Sequence, residues 1–435
     1  MVRTSPTIAA SDALRECVRS QRRELDLRLA DTYVERELFS PVADDDLIKV
    51  VIGPRRAGKS FFAVRLVHRW GSYGYVNFDD ERLTALGNAD RLVAAIDEEY
   101  GRPTHLLLDE IQNLPRWELV ANRLQRQGRR LVLTGSNAHL LSRELATHLT
   151  GRHQAVAIFP FSFPEYLQAR GGADALGTAE RIEALRTYAD AGGMPEPLVK
   201  RMDRRSYAAT LVDAVVYKDV VRRARIRGPR AIEDLARYLL SNVGAEYALH
   251  RLAQASGCGS AHTAQKYLGL LEEAFLVFSL RRFSFKVREQ LRANPKCYCI
   301  DNGLATAGGY RATADLGHLA ENLVAVRLLR EQLAGGAEAF FWKSAQGEEV
   351  DFVVKRGRGI AEAIQVAWSV ESPATHDREV RALVKAARDL HCPSLLVLTA
   401  AERETTERVS WHGDSATVRF VPLWQWLLRA PAREV

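Results

Sequence analysis

The sequence predicts an α/β protein: a doubly wound parallel sheet, then a helical segment, then a second α/β domain at the C-terminal end. Three observations predict it. Short apolar runs at 47–52, 73–78, 105–108, 130–133 and 154–159 alternate with helical stretches, as buried parallel strands do. The first run opens directly into a glycine-containing turn that enters a helix. At 435 residues the chain exceeds what one small core accommodates.

Taken in order, the chain divides into five segments. Residues 1–45 form an N-terminal helical segment, with helical spacing and no Gly or Pro from 11 to 38 before Ser40-Pro41 breaks the pattern. Residues 46–168 hold the alternating strands and helices, 169–228 a helical lid or linker, 229–295 a compact module and 296–435 the last α/β domain. An apolar fraction of 47% with 26% charged residues is that of a globular protein and excludes disorder. No run approaches the roughly 18 apolar residues of a membrane span, and no cleavable leader is evident, so the expected location is the cytoplasm, without a membrane partner. Cys17, Cys258, Cys297, Cys299 and Cys392 lack metal-ligand spacing and read as reduced structural cysteines.

The chemistry concentrates first at Gly53, Pro54, Arg55, Arg56, Ala57, Gly58, Lys59, Ser60 and Phe61. Glycines let the backbone wrap a phosphate, so that successive N–H groups point inward at a helix N-terminus. Lys59 is expected to reach the β- and γ-phosphates of ATP and Ser60 to ligate Mg²⁺. About fifty residues on, 105–110 is an apolar strand ending in Asp109-Glu110. Asp109 is the expected metal partner, and Glu110 the base that polarises the attacking water. The run 131–134 ends in Gly135-Ser136-Asn137, where Ser136 or Asn137 is placed to sense the γ-phosphate.

On these residues the chain resembles the AAA-plus ATPases. Leu-Asp-Glu-Ile-Gln at 108–112, Leu-Thr-Gly-Ser-Asn at 133–137, Leu-Thr-Gly-Arg at 149–152 and Gly192-Gly193-Met194-Pro195 make it similar to an uncharacterised prokaryotic group. The C-terminal half of that group is restriction-endonuclease-like. The resemblance implies that Arg152, with Arg143 in reserve, reaches the γ-phosphate of a neighbouring subunit, and so implies a homo-oligomer such as a hexameric ring. A surface arginine at a helix end is the alternative.

Residues 200–300 carry 19 Lys/Arg against 9 Asp/Glu, an uneven basicity that fits a nucleic-acid footprint. Helix, tight turn, helix and then 277–280 and 281–286, alternating and basic like a β-ribbon, read as a winged helix-turn-helix. Ser260, His262, Thr263 and Lys266 would then enter the DNA groove, with Arg281, Arg282, Lys286 and Arg288 on the wing near phosphates.

The last domain resembles the PD-(D/E)xK nuclease core, with Glu321 and Asp351 matching its first two acids. Gln365 stands where the third acid belongs and Ala367 where the lysine belongs. An amide is a poor magnesium ligand, so little or no nuclease activity is expected. Glu349 or Glu362, with Lys343 or Lys355, would be the compensating groups. The leading expectation is an ATP-hydrolysing protein that remodels or moves along DNA. A nucleotide-dependent signalling switch and an ATP-regulated, magnesium-dependent nuclease are the alternatives.

Overall fold

The runs of the N-terminal part form strands β1 (Ile48–Ile52), β2 (Tyr73–Asn77), β3 (His105–Asp109), β4 (Arg130–Gly135) and β5 (His153–Ala157), the first four largely buried and the edge strand β5 burying only Val156. All pair in parallel in the order β2-β3-β4-β1-β5. A computed structural model describes residues 6–83, 89–136, 151–172, 176–310, 315–411 and 413–430. It resolves into two units, the first made of Met1–Arg36 and Ser40–Phe159, the second of Glu37–Phe39 and Pro160–Val435.

In the first unit, helices α1 (Pro6–Leu29), α2 (Lys59–Trp70), α3 (Ala89–Tyr100) and α4 (Trp117–Arg126) surround the sheet. α2 buries Phe62, Ala63, Leu66 and Val67 on one stripe, and α4 buries Trp117, Ala121 and Leu124, the spacing that packs a helix onto a sheet. Because β4 lies between β3 and β1, the carboxyl ends of three strands from distant parts of the chain meet at one edge. Such a reversal of strand order is where open α/β sheets hold ligands.

The N-terminal helix is shorter than the expected 11–38. It ends at Leu29, where Arg65 Nη2 donates to the Leu29 carbonyl at 2.8 Å, and the chain continues extended. Absence of Gly and Pro therefore did not mark its end. A side chain from α2 supplies the cap instead, with β-branched and aromatic residues following at Thr32, Tyr33 and Val34. Gln21 of α1 is 3% exposed and pairs with the edge strand: its amide donates to Asn77 O and accepts from Asn77 N. These bonds occupy backbone groups that an open edge would leave unpaired.

The second unit opens with helices α5 (Phe163–Ala169), α6 (Thr178–Ala191), α7 (Pro195–Val199) and α8 (Arg204–Ala214), the last running into a π-helical turn at Val215–Val221. α9 (Arg230–Ser241), α10 (Leu249–Ser256) and α11 (Ala261–Glu273) follow, then β6 (Val277–Leu280), α12 (Val287–Arg292) and β7 (Lys296–Cys299). β6 and β7 pair antiparallel. Of the expected ribbon, 277–280 forms strand β6, but its partner is β7 and 281–286 does not form the second strand. Instead Phe341 N donates to Arg281 O and Phe283 N to Phe341 O, which draws this segment into the C-terminal sheet with the Phe283 ring buried in its core. Phe283 was read as part of a basic alternation, but burying its ring outweighs that pattern.

After α13 (Asn302–Gly308) and α14 (Leu316–Leu333) comes a six-stranded mixed sheet, ordered β12-β13-β11-β10-β9-β8. Its strands are β8 (Glu338–Lys343), β9 (Glu349–Arg356), β10 (Gly359–Val366), β11 (Ser394–Thr399), β12 (Thr405–Trp411) and β13 (Asp414–Pro422). α15 (Pro373–Leu390) packs on it through Val380, Leu383 and Ala386 against Val353, Ala363 and Val397, and α16 (Leu423–Leu428) closes the chain. α14 is buried nearly all round, so no single apolar stripe marks it.

The Gly192-Gly193 pair has a structural task here. Gly192 has φ 70° and ψ −172°, open to glycine alone, and a Cβ there would lie 2.1 Å from Asp301 Oδ1. The same carboxylate accepts from Gly193 N at 2.6 Å. Gly192→Ala is expected to destabilise the second unit by about 2–4 kcal/mol, through backbone strain plus overpacking. Chemical denaturation followed by circular dichroism measures it.

Candidate active site

The nucleotide-type site begins with a backbone constraint. Gly53 has φ +146°, and a Cβ on it would sit 1.9 Å from the Ile158 carbonyl oxygen, so only glycine lets the loop start beside β5. Gly58, the N-cap of α2, is left-handed at φ 93° and ψ 20°. Between them Arg56 also has a positive φ, of 65°, and is exposed, while Arg55 and Phe61 are half-buried and Pro54 and Ala57 are buried. Lys59 is 5% exposed, and its ammonium donates to the Pro54 carbonyl at 2.9 Å, which lays the charge across the loop. Arg36, which the sequence reading passed over, holds the loop from behind: Nη1 donates to Ala57 O at 2.8 Å and Nη2 to Phe159 O.

Across from the loop, the ends of β3 and β4 supply the acids. Asp109 is 1% exposed. Its Oδ1 accepts from Ser60 Oγ at 2.9 Å and from Thr134 Oγ1, and its Oδ2 from Tyr75 OH at 3.2 Å. Ser60 and Asp109, assigned to the metal from sequence, are thus in direct contact. Burial raises the Asp109 pKa above the ordinary aspartate value; the Thr134 and Ser60 hydrogen bonds and the Lys59 charge oppose that rise, while Glu110 adds to it.

Glu110 adopts a left-handed conformation, φ 51° and ψ 46°, uncommon outside glycine and concentrated at functional sites. Its N–H donates to Thr134 Oγ1 at 2.9 Å, and its carboxylate accepts from the Gln112 amide. Thr134, Tyr75 and Gln112 are the contributors that the sequence reading did not assign. Thr134 and Gln112 stood inside quoted motifs, whereas Tyr75 reaches Asp109 only because β2 pairs with β3. Ser136 is buried beyond β4, and Asn137 and Arg143 lie outside the described residues.

The site fits a nucleotide with Mg²⁺. The loop has no room for a side chain at Gly53, a buried lysine lies across it, and a hydroxyl already touches a carboxylate whose raised pKa a cation would relieve. Arg152 is exposed, and its carbonyl accepts from Ile48 N, at the start of β1. That is the amino edge of the sheet, about 16 Å along five residues of strand from the loop, so Arg152 does not reach its own chain's site.

Parallel order, glycine-built loop and buried aspartate together give a domain that is P-loop ATPase-like. Comparison with known families agrees: residues 45–167 match the model described as an AAA domain. Residues 182–311 and 316–425 match two domains of unknown function, DUF8612 and DUF4143. An uncharacterized protein of Methanocaldococcus jannaschii is 29% identical over 399 residues, 88% of each chain. Another, of Haemophilus influenzae, is 28% identical over 357 residues, 77% of this chain and 86% of its own.

The other residues singled out from sequence all fall in the second unit. Ser260 is the N-cap of α11, accepting from Thr263 N at 3.1 Å, and Ser260, His262 and Lys266 are exposed at that helix start while Ala264, Leu268 and Leu271 are buried. Arg281 is exposed, Arg282 Nη2 donates to Lys343 O, Lys286 caps α12 and Arg288 lies on it. Glu321, Asp351 and Gln365 line one cleft, with Glu349 beside them. Glu362 lies outside its lining, and Lys355 pairs with Glu338 instead. Among the described residues no helix is long and apolar enough to cross a membrane.

Cation binding requires ionised Asp109, and its raised pKa sets the direction of a pH effect. Without ligand, this group favours the folded state at low pH, and that contribution is lost as pH rises through the raised value. Affinity for magnesium nucleotide is expected to run the opposite way, weakening on acidification at a higher pH than an exposed aspartate would give. Titrating a fluorescent ATP analogue with Mg²⁺ from neutral to acid pH measures this, and Asp109→Asn should remove the dependence.

Proposed function

We propose that this protein is a magnesium-dependent, oligomeric ATPase whose turnover drives binding and remodelling of, or movement along, DNA. The observation that carries the ATPase reading is the Ser60–Asp109 contact opposite a buried Lys59, with Glu110 next in the chain. Lys59 balances phosphate charge, Ser60 and Asp109 are the residues that would hold Mg²⁺, and the bound ion would neutralise charge on the phosphate oxygens. Glu110 is the group to orient the attacking water and accept its proton. Release of its carboxylate from Gln112 accompanies that role.

The DNA reading is supported by exposed basic side chains on one unit. These are Arg222, Arg223, Arg225, Arg227 and Arg230 after the π-helical turn, and Lys266, Arg281, Lys286 and Arg288 on or after α11. Their charge suits phosphate contacts, which position a protein without reading sequence. The place of Arg152 at the far edge of the sheet favours a role on a neighbouring subunit's phosphate.

Glu110→Gln is expected to keep ATP affinity while slowing phosphate release by about 10²–10⁴-fold. Arg152→Ala should lose turnover yet bind ATP, and mixing it with Glu110→Gln chains should restore some activity if the two groups meet between subunits. Linear, single-stranded or branched DNA at low salt should bind and change the ATPase rate. If none does, the DNA reading fails while the ATPase reading stands. The grip of Gln112 on Glu110 favours a second reading, a slowly hydrolysing signalling switch. That reading requires Gln112→Ala to raise basal turnover and Arg152→Ala to leave it unchanged.

A further inference from the structure

The nuclease-like pattern implies a divalent metal in the second unit, and the side chains found there do not suit one. The cleft that Glu321, Asp351, Gln365 and Glu379 line has a volume of about 790 Å³. Into this group comes Lys296 from β7, far from these residues in sequence and with a side chain only 4% exposed. Its Nζ lies 3.0 Å from Glu321 Oε1, 2.7 Å from Glu349 Oε1 and 3.6 Å from Asp351 Oδ1. The Lys296 ammonium therefore faces three carboxylates, two of them within charge-assisted hydrogen-bond range, while Lys343 Nζ meets the other oxygen of Glu349 at 3.2 Å and also pairs with Glu246.

The surrounding donors are committed as well. Tyr298 OH donates to Glu321 Oε1 at 2.7 Å. Gln365 accepts from Asp351 N at 2.7 Å and donates to Glu379 Oε2 at 2.5 Å and to Glu349 O at 3.0 Å, so its amide is used at both ends. Asp351 Oδ2 accepts from Val366 N at 2.9 Å. Among the described residues no group of three or more His, Cys, Asp or Glu side chains could hold a metal ion.

Three carboxylates this close, Glu321 buried and Asp351 and Glu349 only partly exposed, repel one another strongly unless a cation lies among them. A magnesium ion would meet their oxygens at about 2.0–2.1 Å and demand octahedral geometry, whereas the point they share is filled by nitrogen and carries its own positive charge. Burial works to discharge Lys296, but the charges of Glu321, Asp351 and Glu349 outweigh it and keep the ammonium protonated.

We propose that Lys296 is a tethered counter-ion that takes the place of a divalent metal among Glu321, Glu349 and Asp351, so that this cleft is assembled without Mg²⁺ and is not a metal-dependent nuclease centre.

The test uses the full chain without nucleotide, with Mn²⁺ as the probe, read by electron paramagnetic resonance and by thermal unfolding. Any Mn²⁺ binding and any shift in unfolding temperature should be the same in wild-type protein and in Asp351→Asn, because a contribution from Asp109 is common to both. Lys296→Ala should lower the midpoint by about 5–10 °C, and Mn²⁺ should recover part of the loss by replacing the missing charge. Three results overturn the proposal: Mn²⁺ binding to wild type that Asp351→Asn removes, magnesium-dependent DNA cutting that Asp351→Asn removes, or a Lys296→Ala protein as stable and as indifferent to Mn²⁺ as wild type. If Lys296→Ala does not fold, the wild-type and Asp351→Asn measurements decide alone.

Discussion

A carboxylate buried at the edge of a parallel sheet costs free energy unless hydroxyls or a cation meet it, and Asp109 organises the first unit around that requirement. Ser60 comes from the helix after the loop, Thr134 from the neighbouring strand and Tyr75 from the strand on the other side. None of these contacts exists unless β3 lies between β2 and β4, with β1 next in order. The topology of the sheet and the chemistry of its edge are therefore one constraint. Glu110 follows from it, because the strand must end at Asp109 and the chain then turns through a left-handed residue held by Thr134.

The second unit meets a similar problem with internal partners. Asn322, fully buried, pairs with both backbone groups of Cys299 and with Asn302, whose amide in turn serves the carbonyls of Ala189 and Leu319. Asp301 beside it caps α13 and receives Gly193 N. Lys296, a few residues before, answers Glu321 of α14 and Glu349 and Asp351 of β9. A short stretch around β7 thus satisfies polar groups from several helices and from β9. Buried networks of this kind are favourable only when every member has a partner, which makes this region demanding of sequence.

The glycine-built loop after β1 was legible because its signal is local: glycine at two positions, lysine and serine at fixed offsets, a strand before and a helix after. The strand ending in Asp109-Glu110 was legible for the same reason, and the five strands of the first sheet fall where the apolar runs lie, within two residues at their ends. Misreadings arose where long-range packing overrode local pattern. The N-terminal helix stops at a cap provided by Arg65, and the segment after β6 follows Phe283 into a different sheet instead of forming a ribbon. Arg36 and Lys296 were invisible as contributors because no spacing rule connects either residue to the groups it serves.

By itself the sequence determined the glycine-built loop from Gly53 to Ser60, since it lies within one short segment whose backbone geometry its own glycines and strand–helix junction enforce. It determined the parallel character of the first sheet too, through short, largely apolar strands separated by helices. Only the tertiary structure decided which distant groups complete each site: Tyr75 and Thr134 beside Asp109, Arg36 behind the loop, and Lys296 where local pattern had left a lysine missing. The reason is physical. A backbone conformation is set by neighbours in the chain, whereas a buried charge is settled by whatever partner the fold brings within about 3 Å, from any distance along it.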